Sequence, residues 1–315
     1  MRGLLQAALG LTGLMAAGAA SAEPSLEIQH AAVNVVIMPE NRTDVVVEVR
    51  KANANLPLYI TKVGDSVVVD GHLLPMFTQC HGSGPNLRAM IFGKGDYGVD
   101  DLPQIIVRTP MDVRVSTGGI VVGSVGRANS VTLNHGGCGG WTVANVEQAL
   151  QARLSGVGNI ETGSAGSADL VISGSGHLKA GVIRNMMSAR VSGSGAITSV
   201  SSGAAELTIT GSGSVASGPV TGGLNATISG SGDLTVARLD GPFTARISGV
   251  GHVRVPAGQV TAMDAKISGS GDVEFGGVAQ TLDAVVTGAG GVRAAEVTGS
   301  VTKHVSGVGS IQIGR

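Results

Sequence analysis

The chain has 315 residues, with 21 Lys+Arg against 22 Asp+Glu and a formal net charge of −1. That balance gives no electrostatic reason to expect nucleic acid or an anionic membrane as a partner. Glycine is abundant at 51 residues, yet 43% hydrophobic and only 14% charged residues exclude a disordered low-complexity chain and require a packed core.

The chain opens MRGLLQAALGLTGLMAAGAASAEP. Arg2 supplies a short positive start, Leu4 to Ala20 is apolar, and Ala20-Ser21-Ala22 fits a small-x-small cleavage site. Residues 1–22 are therefore predicted to be a signal peptide, with the mature chain starting near Glu23. The apolar run is short and broken by glycine, which argues against a retained anchor. No Cys follows the cleavage site, so no lipoprotein anchor is expected, and no membrane-spanning run follows. The expected address is outside the cytoplasm: periplasm, outer-membrane surface or medium.

Residues 23–112 form an N-terminal β region. LEIQHAAVNVVIM, TDVVVEVR and DSVVVDG read as strands that begin the repeat array or cap its end. Capping matters because an open array end is an unpaired sheet edge. Within this region an irregular loop spans residues 71–101 and gathers His72, Phe77, Cys80, His81, Arg88, Phe92, Lys94, Asp96 and Tyr97. Long loops on rigid scaffolds often carry function. The structural alternative is a packed flap tied down by a disulfide. As a binding surface, the first choice is this loop, through His81 and Tyr97, together with Trp141.

The chain has two cysteines, Cys80 and Cys138. In an exported protein such a pair suggests one disulfide, worth about 4 kcal/mol for so long a loop in the chain-entropy model. Two buried thiols are the alternative. A metal site with the nearby His81 and His135 would lack any familiar finger spacing, so no metal is assigned.

From residue 113 to 315 the sequence repeats. Aligned on one hydroxyl residue, the copies fall at Ser155, Ser173, Ser192, Thr210, Ser229, Ser248, Ser268, Thr287 and Ser306, with steps of 18 to 20. VSTGGI (115–120) and HGGCGGW (135–141) read as two degenerate copies ahead of these. The residue before the hydroxyl is aliphatic in all nine copies, and so is the residue five after it. Local alternation such as Leu207-Thr208-Ile209 marks half-buried strands. A unit of about 19 residues is too short for a strand–helix–strand crossover. The predicted fold is therefore all-β: a single-chain parallel β-helix, or β-solenoid, with right-handed winding favoured and an N-terminal β capping region.

Each copy keeps two glycines around one small residue: Gly156 and Gly158, Gly174 and Gly176, Gly193 and Gly195, Gly211 and Gly213, Gly230 and Gly232, Gly249 and Gly251, Gly269 and Gly271, Gly288 and Gly290, Gly307 and Gly309. Glycine admits positive φ and close backbone approach, which a corner stacked on identical corners needs. The Ser/Thr column is expected to form a hydroxyl ladder that satisfies corner backbone groups. Phosphate-loop and dinucleotide readings fail because no helix follows the glycines, and a calcium repeat would have a nine-residue period.

With its leader, strands such as LEIQHAAVNVVIMPE and DVVVEV, and repeated hydrophobic-SGSG-x-hydrophobic units, most of the mature chain resembles the bacterial auto-transporter adhesin family, head GIN domain. Ala32-Val33-Asn34 stands where that family's Gly-Ile-Asn-like strand begins, with the glycine replaced. The resemblance implies an all-β, solenoid-like exported protein with an adhesin-like role and carries no catalytic residues to transfer. A self-exporting autotransporter would carry a C-terminal membrane barrel, whereas this sequence closes on SIQIGR inside the repeats, so export by other machinery is expected.

One outward column is a candidate for chemistry. Four residues after the hydroxyl stand Asp233, His252 and Asp272 in successive copies. Such a stack could bind a cation or perturb the central His, against the plain alternative of a solvated polar column. The repeat region holds only Trp141, Phe243 and Phe275 as aromatics, and its coil length is nearly constant, which leaves little for a polysaccharide hydrolase or lyase to stand on. No catalytic residue and no cofactor is assigned. The expected role is a non-catalytic structural or surface-interaction protein meeting a glycan or protein partner at the envelope. Carbohydrate-binding or degrading activity and envelope maintenance are the alternatives. Lys303 interrupts the apolar column three before the hydroxyl and is expected to act as a gatekeeper against end-to-end stacking; end-to-end or side-by-side self-association is the form an oligomer would take.

Overall fold

The structure, a computed structural model, describes residues 23–73, 77–81 and 86–314. The predicted signal peptide, residues 1–22, lies outside the described residues. The described chain is built almost wholly of strands, with a 3-10 turn at Val99–Asp101 and no α-helix. None of its helices is long and apolar enough to cross a membrane.

Each repeat makes one three-sided coil. In one of them Leu224–Ile228 forms the side before the Gly-Ser-Gly corner and Asp233–Asp240 the side after it. Leu224, Ala226, Ile228, Leu234 and Val236 are buried while the residues between them face out, the two-residue period expected of strands packed on one face. The alternation slips at Ala237-Arg238, where the chain bends onto a third, short side that pairs Leu239 with Gly258.

Successive coils stack as parallel ladders with like residues over like. On the first side Leu224 pairs with Phe243, Phe243 with Met263, Met263 with Leu282, and Leu282 with Val301. The degenerate copies obey the same register: Thr117 pairs with His135, and His135 with Leu154. The column of Leu154, Ile172, Val191, Ile209, Ile228, Ile247, Ile267 and Val286 is 0–2% exposed throughout. Each such side chain contributes roughly 1.5–3 kcal/mol of burial free energy, and their stacking forms one continuous core.

Both glycines of a corner leave room for the coil behind: a Cβ on Gly230 would run into the Gly211 carbonyl oxygen, and one on Gly232 into that of Gly213. In the later coils the first takes a left-handed backbone, with φ 140° at Gly269 and 123° at Gly288. The second does not; a Cβ on Gly232 would stand 2.6 Å from Ile209 Cγ2 and closer still to the Gly213 carbonyl of the coil behind. The expected hydroxyl ladder does not form. Corner amides are satisfied by backbone carbonyls, as in Ser231 N to Gly211 O at 3.1 Å. Among the described residues the aligned hydroxyls make no hydrogen bond of their own; the carbonyl of the coil behind is nearer and already aimed.

The N-terminal region stacks out of chain order. Strand Leu26–Pro39 pairs in parallel with Asp112–Val125 on one flank. On its other flank it pairs with a level assembled from Ser66–Asp70 and Gln104–Thr109. That level is covered in turn by antiparallel strands Tyr59–Val63 and Val46–Lys51. The change of direction, with Arg50, Lys51 and Lys62 on the outer strands, ends the parallel ladder at this end.

The irregular loop leaves the stack at the corner between Asp70 and Gln104. It folds as a flap: strands Phe77–His81, Arg88–Ile91 and Gly95–Gly98 make a small antiparallel sheet. Leu56, Leu73, Leu87, Ala89, Ile91, Tyr97 and Leu102 form a second core against Ala32, Ile120 and Cys138 of the solenoid wall. The Cys80–Cys138 disulfide, with Cα atoms 6.5 Å apart, ties the flap to the fourth parallel level.

Candidate functional site

The sequence placed Asp233, His252 and Asp272 in one outward column, and the ladder sets Asp233 beside His252 and His252 beside Asp272. Contact is narrower than register. His252 Nδ1 lies 3.4 Å from Asp272 Oδ2, with both side chains a little over half exposed. Among the described residues no ion pair joins Asp233 to His252.

Beyond Asp272 the column reaches Gly291 and then Ser310. The missing side chain opens a gap: a Cβ on Gly291 would sit 2.9 Å from Asp272 Oδ1 and 3.7 Å from Ser310 Oγ. Two residues further along each strand a second outward column runs beside it. There Arg254 Nε faces Glu274 at 3.9 Å, and Arg293 Nη2 donates to Gln312 at 3.4 Å. Together they frame a depression of about 320 Å³ lined by His252, Arg254, Asp272, Glu274, Arg293 and Gln312. Donors and acceptors of both charge signs converge on it from a rigid ladder, so it can hydrogen-bond a polar ligand from two sides. Asp272 is exposed and Glu274 half-buried beside Arg254, unlike the desolvated acid that glycoside cleavage needs. No group of three or more His, Cys, Asp or Glu side chains is placed to hold a metal ion among the described residues.

The other candidates lie elsewhere. Trp141, expected at a binding surface, is 2% exposed and points into the solenoid, where it occupies the space above Gly123. Tyr97 is packed in the flap core and donates its hydroxyl to the Lys94 carbonyl at 2.8 Å. Both correct the expectation, and for one reason: an aromatic ring has more apolar area to bury than any other side chain near it. His81 is exposed on the flap. His135 is buried in the aliphatic column, its Nδ1 2.8 Å from Thr117 Oγ1 and its Nε2 without a partner. Burial lowers its pKa from 6.5 to about 4. It is therefore a neutral core residue, distant in role from the cysteine pair beside which it stands in sequence.

Sequence reasoning missed the Gly291 gap. The signal was present, because Gly291 is an extra glycine immediately after the corner pair, where the other eight full copies carry a side chain.

Residues 225–314 match the family described as “Putative auto-transporter adhesin, head GIN domain”. The matched span contains the whole of the depression around Gly291 and is narrower than the resemblance read from the sequence, which covers most of the mature chain. No curated protein matches the chain. The head GIN match and the stacked fold together fit a surface-interaction protein.

Proposed function

We propose that the protein is an exported, non-catalytic β-solenoid that holds an envelope or surface partner against its outward side-chain columns. The observation that carries this reading is the Gly291 depression: charged and amide groups of fixed spacing around a missing side chain, all on the wall of a rigid stack. Such a wall recognises shape and polarity and offers no activated nucleophile or isolated acid. The description of the matched family as an adhesin supports it.

The test is fractionation of cells carrying the tagged chain, combined with a photo-crosslinker at position 312. The expected result is an envelope or extracellular fraction and a crosslinked partner lost in Asp272→Asn and Arg293→Ala. Retention in the cytoplasm, or turnover of polysaccharide by the purified chain, would overturn the reading.

A further inference from the structure

A second surface, on the side before the corner, has a different character. There the residue two positions before the aligned hydroxyl points outward, and Arg153, Arg190, Arg246 and Lys266 occupy that column. Three of these cations have an acid within reach. Arg153 and Arg190 share Asp169 at 2.9 and 3.0 Å, and Lys266 Nζ lies 3.2 Å from Asp264. Arg246 has no acidic partner among the described residues. Its strand sets it directly beside Lys266 on the next coil and Thr227 on the one before. Like charges directly opposite on a ladder repel, so the pair is poised to gain from an incoming anion.

The neighbouring column is the row of corner hydroxyls. Ser248, Ser268 and Thr287 are in register and exposed, and no intramolecular hydrogen bond engages their hydroxyls among the described residues. Between the two columns runs a trough of about 430 Å³ lined by Thr227, Arg246, Ser248, Lys266, Ser268 and Thr287. The same side carries a like depression of about 500 Å³ further back, where Asn134 and Arg153 face Ser155 and Ser173. Within the trough the hydroxyls of Ser248, Ser268 and Thr287 follow the long axis, one rung about every 4.8 Å.

We propose that this trough, centred on Arg246 and Lys266 with Ser248 and Ser268, binds an anionic polysaccharide lying along the solenoid axis, its carboxylate or sulfate held by the two cations. Evenly spaced free hydroxyls suit a polymer that is itself hydroxylated at a regular interval. Nucleic acid fits poorly, because the trough offers no aromatic ring for a base to stack on. An acidic peptide would find no backbone groups to pair with, since those of this side are used in the ladder. The proposal concerns a different face from the Gly291 depression and stands or falls independently of where the protein resides.

The test measures binding of the purified chain from Glu23 to polygalacturonate, sulfated dextran, plain dextran and poly-glutamate. At least one of the two anionic glycans is expected to bind, with affinity falling as salt rises. Plain dextran and poly-glutamate are expected not to compete. Arg246→Ala and Lys266→Ala should each weaken binding about tenfold, the loss of one charge-assisted contact. Arg50→Ala, which removes a cation from the far end, should leave it unchanged. Binding to polygalacturonate alone assigns the anion as carboxylate, and binding to sulfated dextran alone as sulfate. Arg246→Gln repeats the test with a polar side chain should the alanine variant lose its far-ultraviolet spectrum. Absence of binding to both glycans, equal competition by poly-glutamate, or indifference to both Arg246 substitutions would overturn the proposal.

Discussion

At the scale of single residues, glycine is required at some positions and merely present at others. A methyl group at Gly232 would meet Ile209 Cγ2 at 2.6 Å and the backbone of the coil behind, with no flexible atom to give way. Gly118 has no heavy atom within 4 Å of the same point and no left-handed φ. Gly232→Ala is therefore expected to destabilise by about 1–3 kcal/mol. Gly118→Ala should be neutral or slightly stabilising, by about 0.4–1 kcal/mol, because it restricts the unfolded chain. Denaturant midpoints of the two variants against the parent check this, and equal losses would refute the contact argument. The sequence showed that both corner glycines were kept. It could not show that both are kept for the carbonyl behind them, and the first in the later coils for its φ as well, because those contacts exist only once the coils are stacked. His135 makes a second residue-scale prediction. Its folded pKa of about 4 lies below the ordinary 6.5, so its neutral form is the one the fold accepts. Above the unfolded pKa it costs nothing in protonation. As pH falls from 6.5 towards 4, the unfolded chain takes up a proton that the native chain refuses, and stability drops. The drop is at most about 1.4 kcal/mol per pH unit, and about 3 kcal/mol in all. His135→Leu, which restores the aliphatic column, should flatten that part of the pH profile; a parallel profile in both proteins would show that the histidine is not its source.

At the scale of elements, the repeated strands were legible because each one stacks on a near-copy of itself, so a column in the alignment becomes a column in space. The flap was not. Its core is assembled from Leu56, Leu73, Leu87 and Leu102, spread over a segment with no period, and the wall it packs on, Ala32, Ile120 and Cys138, comes from three different levels of the stack. Nor could pattern alone reveal that Leu26–Pro39 lies between levels formed later in the chain, since parallel pairing leaves no mark on sequence order. The disulfide spans a sequence separation of 58, for which loop-closure entropy gives about 4 kcal/mol. The stabilisation belongs to the flap more than to the coils, whose core continues without it. Reduction, or Cys80→Ser with Cys138→Ser, is expected to open the flap to protease between residues 86 and 98 while the fragment from Asp112 onward resists. Simultaneous digestion of both parts would show that flap and solenoid unfold as one unit.

At the scale of the whole molecule, an uncovered parallel ladder recruits further strands unless something opposes it, and the first and last described levels differ in what they present. The N-terminal end changes direction, covering its last parallel level with antiparallel strands rich in charge. At the other end the last described level continues the parallel ladder, and Val301, Val305 and Val308 are 40%, 42% and 88% exposed. What distinguishes this level is Lys303. It takes the register position of Ala284, which is buried along with Ala245 and Ala265 in the same column, and its Nζ lies 3.5 Å from the Ile311 carbonyl. A second coil laid on this surface would bury that ammonium in an alanine-sized space, at a cost of several kcal/mol. Lys303→Val removes the charge and leaves an apolar, β-prone rung. The variant is expected to associate in a concentration-dependent manner, read as a rise in mass by light scattering, while Lys303→Arg stays as the parent. A mass that remains constant across the accessible concentration range would mean that the lysine is not what keeps this end of the ladder from pairing.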